Sequence, residues 1–260
     1  MIGYLSYTEE NKGWEVGVRK ILGQPFLEAR LGPGKRLAER FFAKRAARAL
    51  ARAGVRTAVF PRDYPHQEIF AKYGILPVDV LPLYRRMAPL IVRRKMSRQG
   101  LSPSTTTVAV AAERMTAEIG KLVTELALQV RYVMLTASGA EEFCQSLQRE
   151  YGVSVLQNPA PRQIQRADVL LLLSPPSGGI GAENAVTLHL YDGDCVLRRN
   201  GVAFSLPPRM MGEVEENCNF SQLLAVLSGN GILQNDQIPI MEVDITGKNY
   251  YNANTVNNIE

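Results

Sequence analysis

The sequence has few cysteines and few histidines, which are the side chains most often used to bind metals or form disulfides. Its cysteines are odd in number and far apart, which argues against a disulfide framework and against a zinc motif. No spacing of His, Cys, Asp or Glu resembles a metal site. We therefore expect no bound metal. The residues concerned are Cys144, Cys195, Cys218, His66 and His189.

Long hydrophobic runs are also missing. The longest apolar run covers residues 169–173, whereas about 18 apolar residues are needed to span a bilayer. The N-terminus lacks the basic region, the apolar run and the cleavage site of a signal peptide. We therefore expect a cytoplasmic protein without a transmembrane segment.

The charge of the chain is unevenly distributed. Across 260 residues the formal charge is +5, and the 46% of hydrophobic residues is ordinary for a soluble protein. Residues 1–100 carry 20 basic and 8 acidic side chains, a net charge of +12, whereas residues 101–260 carry 10 and 17, a net charge of −7. The sign changes beside the breaker-rich segment 100–104. We therefore predict three regions: a basic N-terminal α/β domain over 1–100, a Rossmann-like domain with a β-meander over 101–247, and a polar tail over 248–260.

Strand and helix patterns alternate from residue 105 onwards. The predicted strands are continuous apolar runs, which are typical of parallel strands buried on both faces, with helices between them. After residue 179 the pattern alternates, and two turn signals at 192–193 and 200–201 predict an antiparallel β-meander. The predicted fold class is therefore α/β, with a Rossmann-like parallel sheet, a meander extension and a smaller preceding α/β domain.

Within that smaller domain we predict a helix over 35–53. Its apolar face is assigned to residues that recur at helical spacing, namely Leu37, Phe41, Ala46, Leu50 and Ala53.

Two segments carry a family resemblance: "TTTVAVAA" on the first strand of the Rossmann-like region and "RADVLLLLSPPSGG" on the fourth. Through them residues 100–179 resemble the NAD(P)-binding domain of the shikimate dehydrogenase and glutamyl-tRNA reductase group. The resemblance implies a Rossmann-like fold and oxidoreductase chemistry with NAD(P). However, the turn at 111–116 lacks the family's glycines, and Glu113 would place a negative charge near a diphosphate. The cofactor therefore stays unknown, with NAD(P) open, and whether the protein is an enzyme also stays open.

The candidate ligand-binding residues follow the predicted parallel strands, because ligands bind beyond the carboxyl ends of such strands. We expect the side chains of the strand ends, or backbone N–H groups of the glycine-containing loop, to hold an anion. The alternative for that loop is a flexible link into the meander. The candidates are Arg114, Thr116, Thr136, Ser138, Ser174, Ser177, Gly178 and Gly179.

His66 is the candidate catalytic residue, since it lies in a polar loop after a strand, where an acid–base group is useful. The alternative is that it only begins a helix.

Two functions are compatible with these features. The first is binding of a nucleotide or small phosphorylated metabolite in an inter-domain cleft. The second is a non-enzymatic interaction or regulatory role, in which the basic helix binds nucleic acid, anionic lipid or an acidic partner. The helix carries basic residues every four positions: Arg36, Arg40, Lys44, Arg48 and Arg52.

A second basic cluster follows at Arg85, Arg86, Arg93, Arg94, Lys95 and Arg98. Binding of single-stranded nucleic acid would favour aromatic residues among these charges, but few are present. The preferred interpretation of the basic helix is a solvated face that pairs with the acidic half of the chain or with another subunit of a homo-oligomer.

Overall fold

Strands and helices alternate along most of the chain, as the α/β class requires. The computed structural model describes residues 1–7, 13–34, 36–175, 186–191 and 201–242. It divides the chain into two compact units. Unit 1 comprises Met1–Leu83 and Phe204–Pro239, and unit 2 comprises Tyr84–Ala203 and Ile240–Glu260. None of the helices in the described ranges is long and apolar enough to cross a membrane.

Unit 1 contains a five-stranded sheet in the order β2-β3-β1-β4-β5. Strands β1, β3, β4 and β5 are parallel, and β2 pairs antiparallel with β3. The β2–β3 hairpin turns at Leu22 and Gly23, which both have positive φ angles, as a tight hairpin turn requires. The elements are β1 (Ile2–Tyr7), β2 (Trp14–Ile21), β3 (Gln24–Leu31), α1 (Arg36–Arg52), β4 (Thr57–Val59), α2 (Gln67–Ala71) and β5 (Leu76–Pro77).

The helix predicted over 35–53 is present as α1, and its predicted apolar face is correct at Ala46 and Leu50 but wrong at Leu37, Phe41 and Ala53. Leu37 is 83% exposed and Phe41 is 52% exposed. Leu37 and Ala46 are nine residues apart, about two and a half helical turns, so they lie on opposite sides of a helix. The buried face consists mainly of small side chains that pack in the unit 1 core: Ala43, Ala46, Ala47 and Leu50.

The second segment of unit 1 contains α7 (Phe220–Gly229) and two short 3-10 turns, Pro208–Met210 and Asn235–Gln237. Asn219 caps α7, because its Oδ1 accepts a hydrogen bond from the Gln222 N–H. The Gln222 side chain in turn accepts from the Phe60 N–H at 2.8 Å. This bond attaches the buried helix to the end of β4, although the two residues are far apart in sequence.

Unit 2 contains a second five-stranded sheet, in the order β10-β9-β6-β7-β8, with every pair parallel. Strand β6 is central, with the next two strands on one side and the last two on the other. This is a Rossmann-like order, and it confirms the predicted α/β class. The elements are α3 (Leu81–Arg98), β6 (Thr107–Arg114), α4 (Ala117–Gln129), β7 (Tyr132–Ser138), α5 (Glu141–Tyr151), β8 (Val155–Gln157), α6 (Pro161–Ile164), β9 (Val169–Leu172) and β10 (Val186–His189).

The first strand of the predicted antiparallel meander is instead β10, the parallel fifth strand of the unit 2 sheet. Val186 pairs with Val169 and His189 with Leu172 in parallel register. Thirteen residues separate β9 from β10, and a parallel return needs a connection of about a dozen or more. The rest of the predicted meander, over 192–200, and the tail at 248–260 lie outside the described residues. Strands β11 (Val202–Phe204) and β12 (Ile240–Glu242) form a separate two-stranded sheet.

The compact units divide the chain after Leu83, whereas the change of charge lies near residue 100. Most of α3 belongs to unit 2, where the Tyr84 hydroxyl donates to the Val202 carbonyl at 3.0 Å. Unit 1 carries 15 basic and 12 acidic residues, a net charge of +3, and unit 2 carries 15 and 13, a net charge of +2. The large imbalance along the sequence therefore does not separate the two compact units.

Candidate functional site

The carboxyl edge of the unit 2 sheet brings together five of the predicted ligand-binding residues. Pairing of β6 with β7 places Arg114 opposite Ser138 and Ala111 opposite Thr136. On the other side of β6, the Leu173 N–H donates to the Ala111 carbonyl at 2.8 Å, which brings the residues after β9 to the same edge. The five are Arg114, Thr116, Thr136, Ser138 and Ser174, whereas Ser177, Gly178 and Gly179 lie outside the described residues.

The turn between β6 and α4 is shaped by the end of β7. The Ser138 hydroxyl donates to the Glu113 carbonyl at 2.7 Å, and the Met115 N–H donates to the Ser138 carbonyl at 2.9 Å. Thr116 is the N-cap of α4, and its hydroxyl accepts from the Ile119 N–H at 3.3 Å. The Arg114 side chain is exposed beside this turn.

Arg85 is a central residue of this edge that the sequence analysis placed only in a basic cluster. Its guanidinium donates to the Leu190 carbonyl at 2.9 Å and to the Leu173 carbonyl at 3.0 Å. It also pairs with Glu118 in the first turn of α4 at 3.2 Å. Arg85 therefore connects the ends of β9 and β10 to the beginning of α4. The sequence does indicate which side of α3 is buried, because the apolar residues Tyr84, Met87, Ala88 and Ile91 recur at helical spacing.

A second arginine of α3 lies within electrostatic reach of Glu118. Burial lowers the pKa of Arg86, and the Glu118 carboxylate opposes that change. Arg85, Arg86 and Arg114 give this edge three positive charges. Glu113 and Glu118 oppose them with two negative charges. The balance favours an anionic ligand of low charge.

The same geometry does not fit the pyrophosphate of a dinucleotide. In Rossmann folds the pyrophosphate lies at the beginning of the first crossover helix, next to a glycine-rich turn. Here the turn has no glycine, and the carboxylate of Glu118 is held in the first turn of α4 by Arg85.

His66, the candidate catalytic residue, lies in unit 1 just before α2 and is 7% exposed. Its Nε2 is 3.8 Å from a carboxylate oxygen of Glu39 on α1, and its Nδ1 is 4.0 Å from one of Glu68. The ring of Tyr64 packs edge-on against the imidazole, with the centroids 5.9 Å apart. The Tyr64 hydroxyl and the His66 Nε2 are buried without a hydrogen-bond partner among the described residues.

Carboxylates influence the phenols beside His66. Burial and the charge of Glu39 raise the pKa of Tyr7 to about 12. Burial also raises the pKa of Tyr64, with further contributions from Tyr7, Glu68 and Glu39. Both phenols are therefore protonated at neutral pH. His66 belongs to unit 1, whereas Arg114 belongs to unit 2.

A third polar cluster, also in unit 1, joins the two segments of that unit. The Tyr4 hydroxyl donates to Glu215 at 2.5 Å, and Arg19 bonds to both Glu215 and the buried Glu28. The Ser6 hydroxyl donates to Glu28 at 2.9 Å. Because these polar groups satisfy one another across more than 180 residues of sequence, the cluster stabilises the unit.

The chain matches no known family model and no curated protein sequence. Among solved structures, it is similar to the aspartate transcarbamoylase of Trypanosoma cruzi in complex with carbamoyl phosphate. The two share 15% identity with a TM-score of 0.33, over 74% of this chain and 70% of that one. The L-tryptophan dehydrogenase of Nostoc punctiforme has 15% identity and a TM-score of 0.33, over 82% and 74% of the two chains.

The shikimate 5-dehydrogenase of Listeria monocytogenes, in complex with shikimate and NAD, has 9% identity and a TM-score of 0.29, over 72% and 76% of the chains. Similarities this low carry no argument about function. The Rossmann-like character of unit 2 rests on its own strand order.

Proposed function

We propose that the carboxyl edge of the unit 2 sheet binds a small phosphorylated metabolite. The observation that carries this proposal is the strand order, which makes the junction of β6 and β9 the point where consecutive connections leave in opposite directions. Open α/β sheets bind ligands at that point. Arg114 ends β6 and Ser174 follows β9, the two strands that meet there, and Ser138 ends the adjacent strand β7.

Arg114 is the residue expected to hold the phosphate. Its side chain is exposed and forms no ion pair within the described part of the chain. A guanidinium can donate two parallel hydrogen bonds to a phosphate. The Thr116 hydroxyl accepts from the Ile119 N–H and keeps its own proton for a ligand, whereas the Ser138 hydroxyl already donates to the Glu113 carbonyl. Arg85 positions the strand ends. A nucleoside monophosphate could bind in the same way, because it carries a single phosphate group that Arg114 could hold.

The test is thermal unfolding of the full chain with inorganic phosphate, glucose 6-phosphate or AMP at millimolar concentrations. At least one should raise the melting temperature, because a ligand at about 100 times its Kd stabilises the folded state by about 2.7 kcal/mol. The variant Arg114→Ala should lose the shift. Arg149→Ala, which removes an exposed arginine from α5 of the same unit, is the matched control and should keep it. No shift with any probe, or an equal shift in Arg114→Ala, would overturn the proposal.

A second candidate function is binding of a polyanion by α1, and it is favoured by a specific observation. Five basic side chains of α1 are exposed, and none forms an ion pair within the described part of unit 1. Pairing with an acidic surface of their own unit therefore does not account for them. They are Arg40, Lys44, Arg45, Arg48 and Arg52.

A further inference from the structure

A groove of about 510 Å³ lies between α1 and α2 in unit 1. Three of its lining side chains are cations and two are aromatic. This combination of phosphate-binding and stacking groups in one concave surface is typical of single-stranded nucleic-acid sites. The lining residues are Arg40, Phe41, Lys44, Ile69, Lys72 and Tyr73.

The fold brings a second aromatic side chain to the basic face of α1. Phe41 is 52% exposed on α1, and the fold adds Tyr73, which lies two residues after α2 and is half-buried against the unit 1 core. The guanidinium of Arg45 lies over the Phe41 ring, 5.1 Å from its centroid. Phe41 is therefore an exposed aromatic ring with positive charges near it. A helix face that is only solvated has no need of such a ring.

The concave shape distinguishes a single strand from a bilayer or a duplex. A membrane surface meets a protruding face, whereas the rings of Phe41 and Tyr73 line a groove. In a duplex the bases are stacked on one another, so they cannot stack on side chains in this groove. Unpaired bases each offer a free π-face, and cations along the groove can contact their phosphates.

We propose that the groove between α1 and α2 binds single-stranded nucleic acid. Bases stack on Phe41 and Tyr73, and phosphates contact Arg40, Lys44 and Lys72. This proposal rests on the second candidate function, polyanion binding by α1. Beyond the groove, the basic face continues to Arg52 along a helix of 17 residues, which is about 25 Å long.

The experiment measures fluorescence anisotropy of a labelled 20-nucleotide oligo(U) with the full chain between 50 and 200 mM KCl, values chosen to span about a fourfold range. Three phosphate contacts predict that log K falls with log salt with a slope of about −2. Phe41→Ala should weaken binding by about fivefold or more with an unchanged slope, because it removes stacking and not charge. Lys44→Ala should reduce the slope by about 0.7.

Two matched variants keep the test independent of folding. Leu76→Ala removes another exposed apolar side chain of unit 1, 56% exposed and outside the groove, and should leave binding unchanged. Phe41→Trp should retain or strengthen binding, since its ring also stacks. Equal binding by wild type and Phe41→Ala, or failure of Phe41→Trp to retain binding, would overturn the stacking proposal.

The same oligonucleotide paired with its complement, and phosphatidylserine vesicles, separate this proposal from the function on which it rests. Binding of oligo(U) in preference to the duplex and the vesicles is the expected result. If the duplex or the vesicles bind as well as oligo(U), the single-strand proposal fails and polyanion binding survives. If none of the three binds at the lowest salt, both fail.

Discussion

The helices α1 and α3 are both rich in basic residues, yet the first two arginines of α3 have different surroundings from the cations of α1. On α1 the cations from Arg40 to Arg52 are exposed. On α3 the guanidinium of Arg85 bonds to two backbone carbonyls and to Glu118, and Arg86 beside it is half-buried. The role of a basic side chain is therefore set by what it faces, and a charge pattern alone does not distinguish the two cases.

The largest expected effect tests this comparison directly. Arg85→Ala should lower the free energy of unfolding by about 3 kcal/mol, because it leaves two buried carbonyls without a donor. Arg48→Ala on α1 should change it by less than about 0.5 kcal/mol, as is usual for exposed positions. Urea unfolding at neutral pH measures both. Similar values for the two variants would show that the cations of α1 and α3 do not differ as described.

An intermediate effect is expected for Glu215, the carboxylate that pairs with Arg19 in unit 1. Burial raises the pKa of its partner Glu215, but hydrogen bonds from Tyr4 and Arg19 outweigh burial and lower it below its ordinary value of 4.5. The carboxylate therefore contributes stability above pH 4.5, and this contribution is lost as the pH falls through the lower pKa of the folded state.

Glu215→Gln should accordingly cost about 2 kcal/mol at pH 7, since hydrogen bonds to a charged group are lost. The difference from wild type should shrink below pH 4.5. Urea unfolding across a pH series provides the measurement. A difference that stays constant into the acid range would mean that Glu215 is not stabilised as an anion.

The smallest expected effect concerns the buried hydroxyl of Tyr64. Unlike the guanidinium of Arg85, it has no hydrogen-bond partner among the described residues. Tyr64→Phe should raise the free energy of unfolding by about 1 kcal/mol, because it removes a buried hydroxyl that has no hydrogen bond within the part of the chain that the structure describes. Tyr84→Phe is the matched control. This substitution should lower the free energy of unfolding by about 1 kcal/mol, because it removes the hydrogen bond from the Tyr84 hydroxyl to the Val202 carbonyl. Destabilisation by Tyr64→Phe would show that its hydroxyl has a partner.

The fold of unit 2 could be predicted well from the sequence, whereas unit 1 could be predicted as α/β with the helix α1 but not in the arrangement of its strands. Buried parallel strands alternating with helices give a strong local pattern, and β6 to β9 follow it. The β2–β3 hairpin turns at Leu22 and Gly23, where the sequence lacks the usual Asn-Gly or Asp-Gly signal. The direction of β10 was also missed, because a short strand has the same residue pattern in either orientation.

The candidate site was predictable in part for a similar reason. Arg114 and Ser138 follow adjacent strands, so strand order alone brings them together. Arg85 could not be assigned to the same edge, because its partners at Leu173 and Leu190 are backbone carbonyls about a hundred residues away. Likewise, Tyr73 joins Phe41 only through the packing of α2 beside α1.

Unit 1 is assembled from both ends of the described chain, and this has a consequence for the order of events during synthesis on the ribosome. Tyr4 and Arg19 are made some two hundred residues before their partner Glu215 and the buried helix α7. The parallel sheet of unit 2 is complete before that time. Because domains can fold as they emerge, the sheet of unit 2 can form first, whereas strands β1 to β5 wait for the second segment of unit 1 to be made.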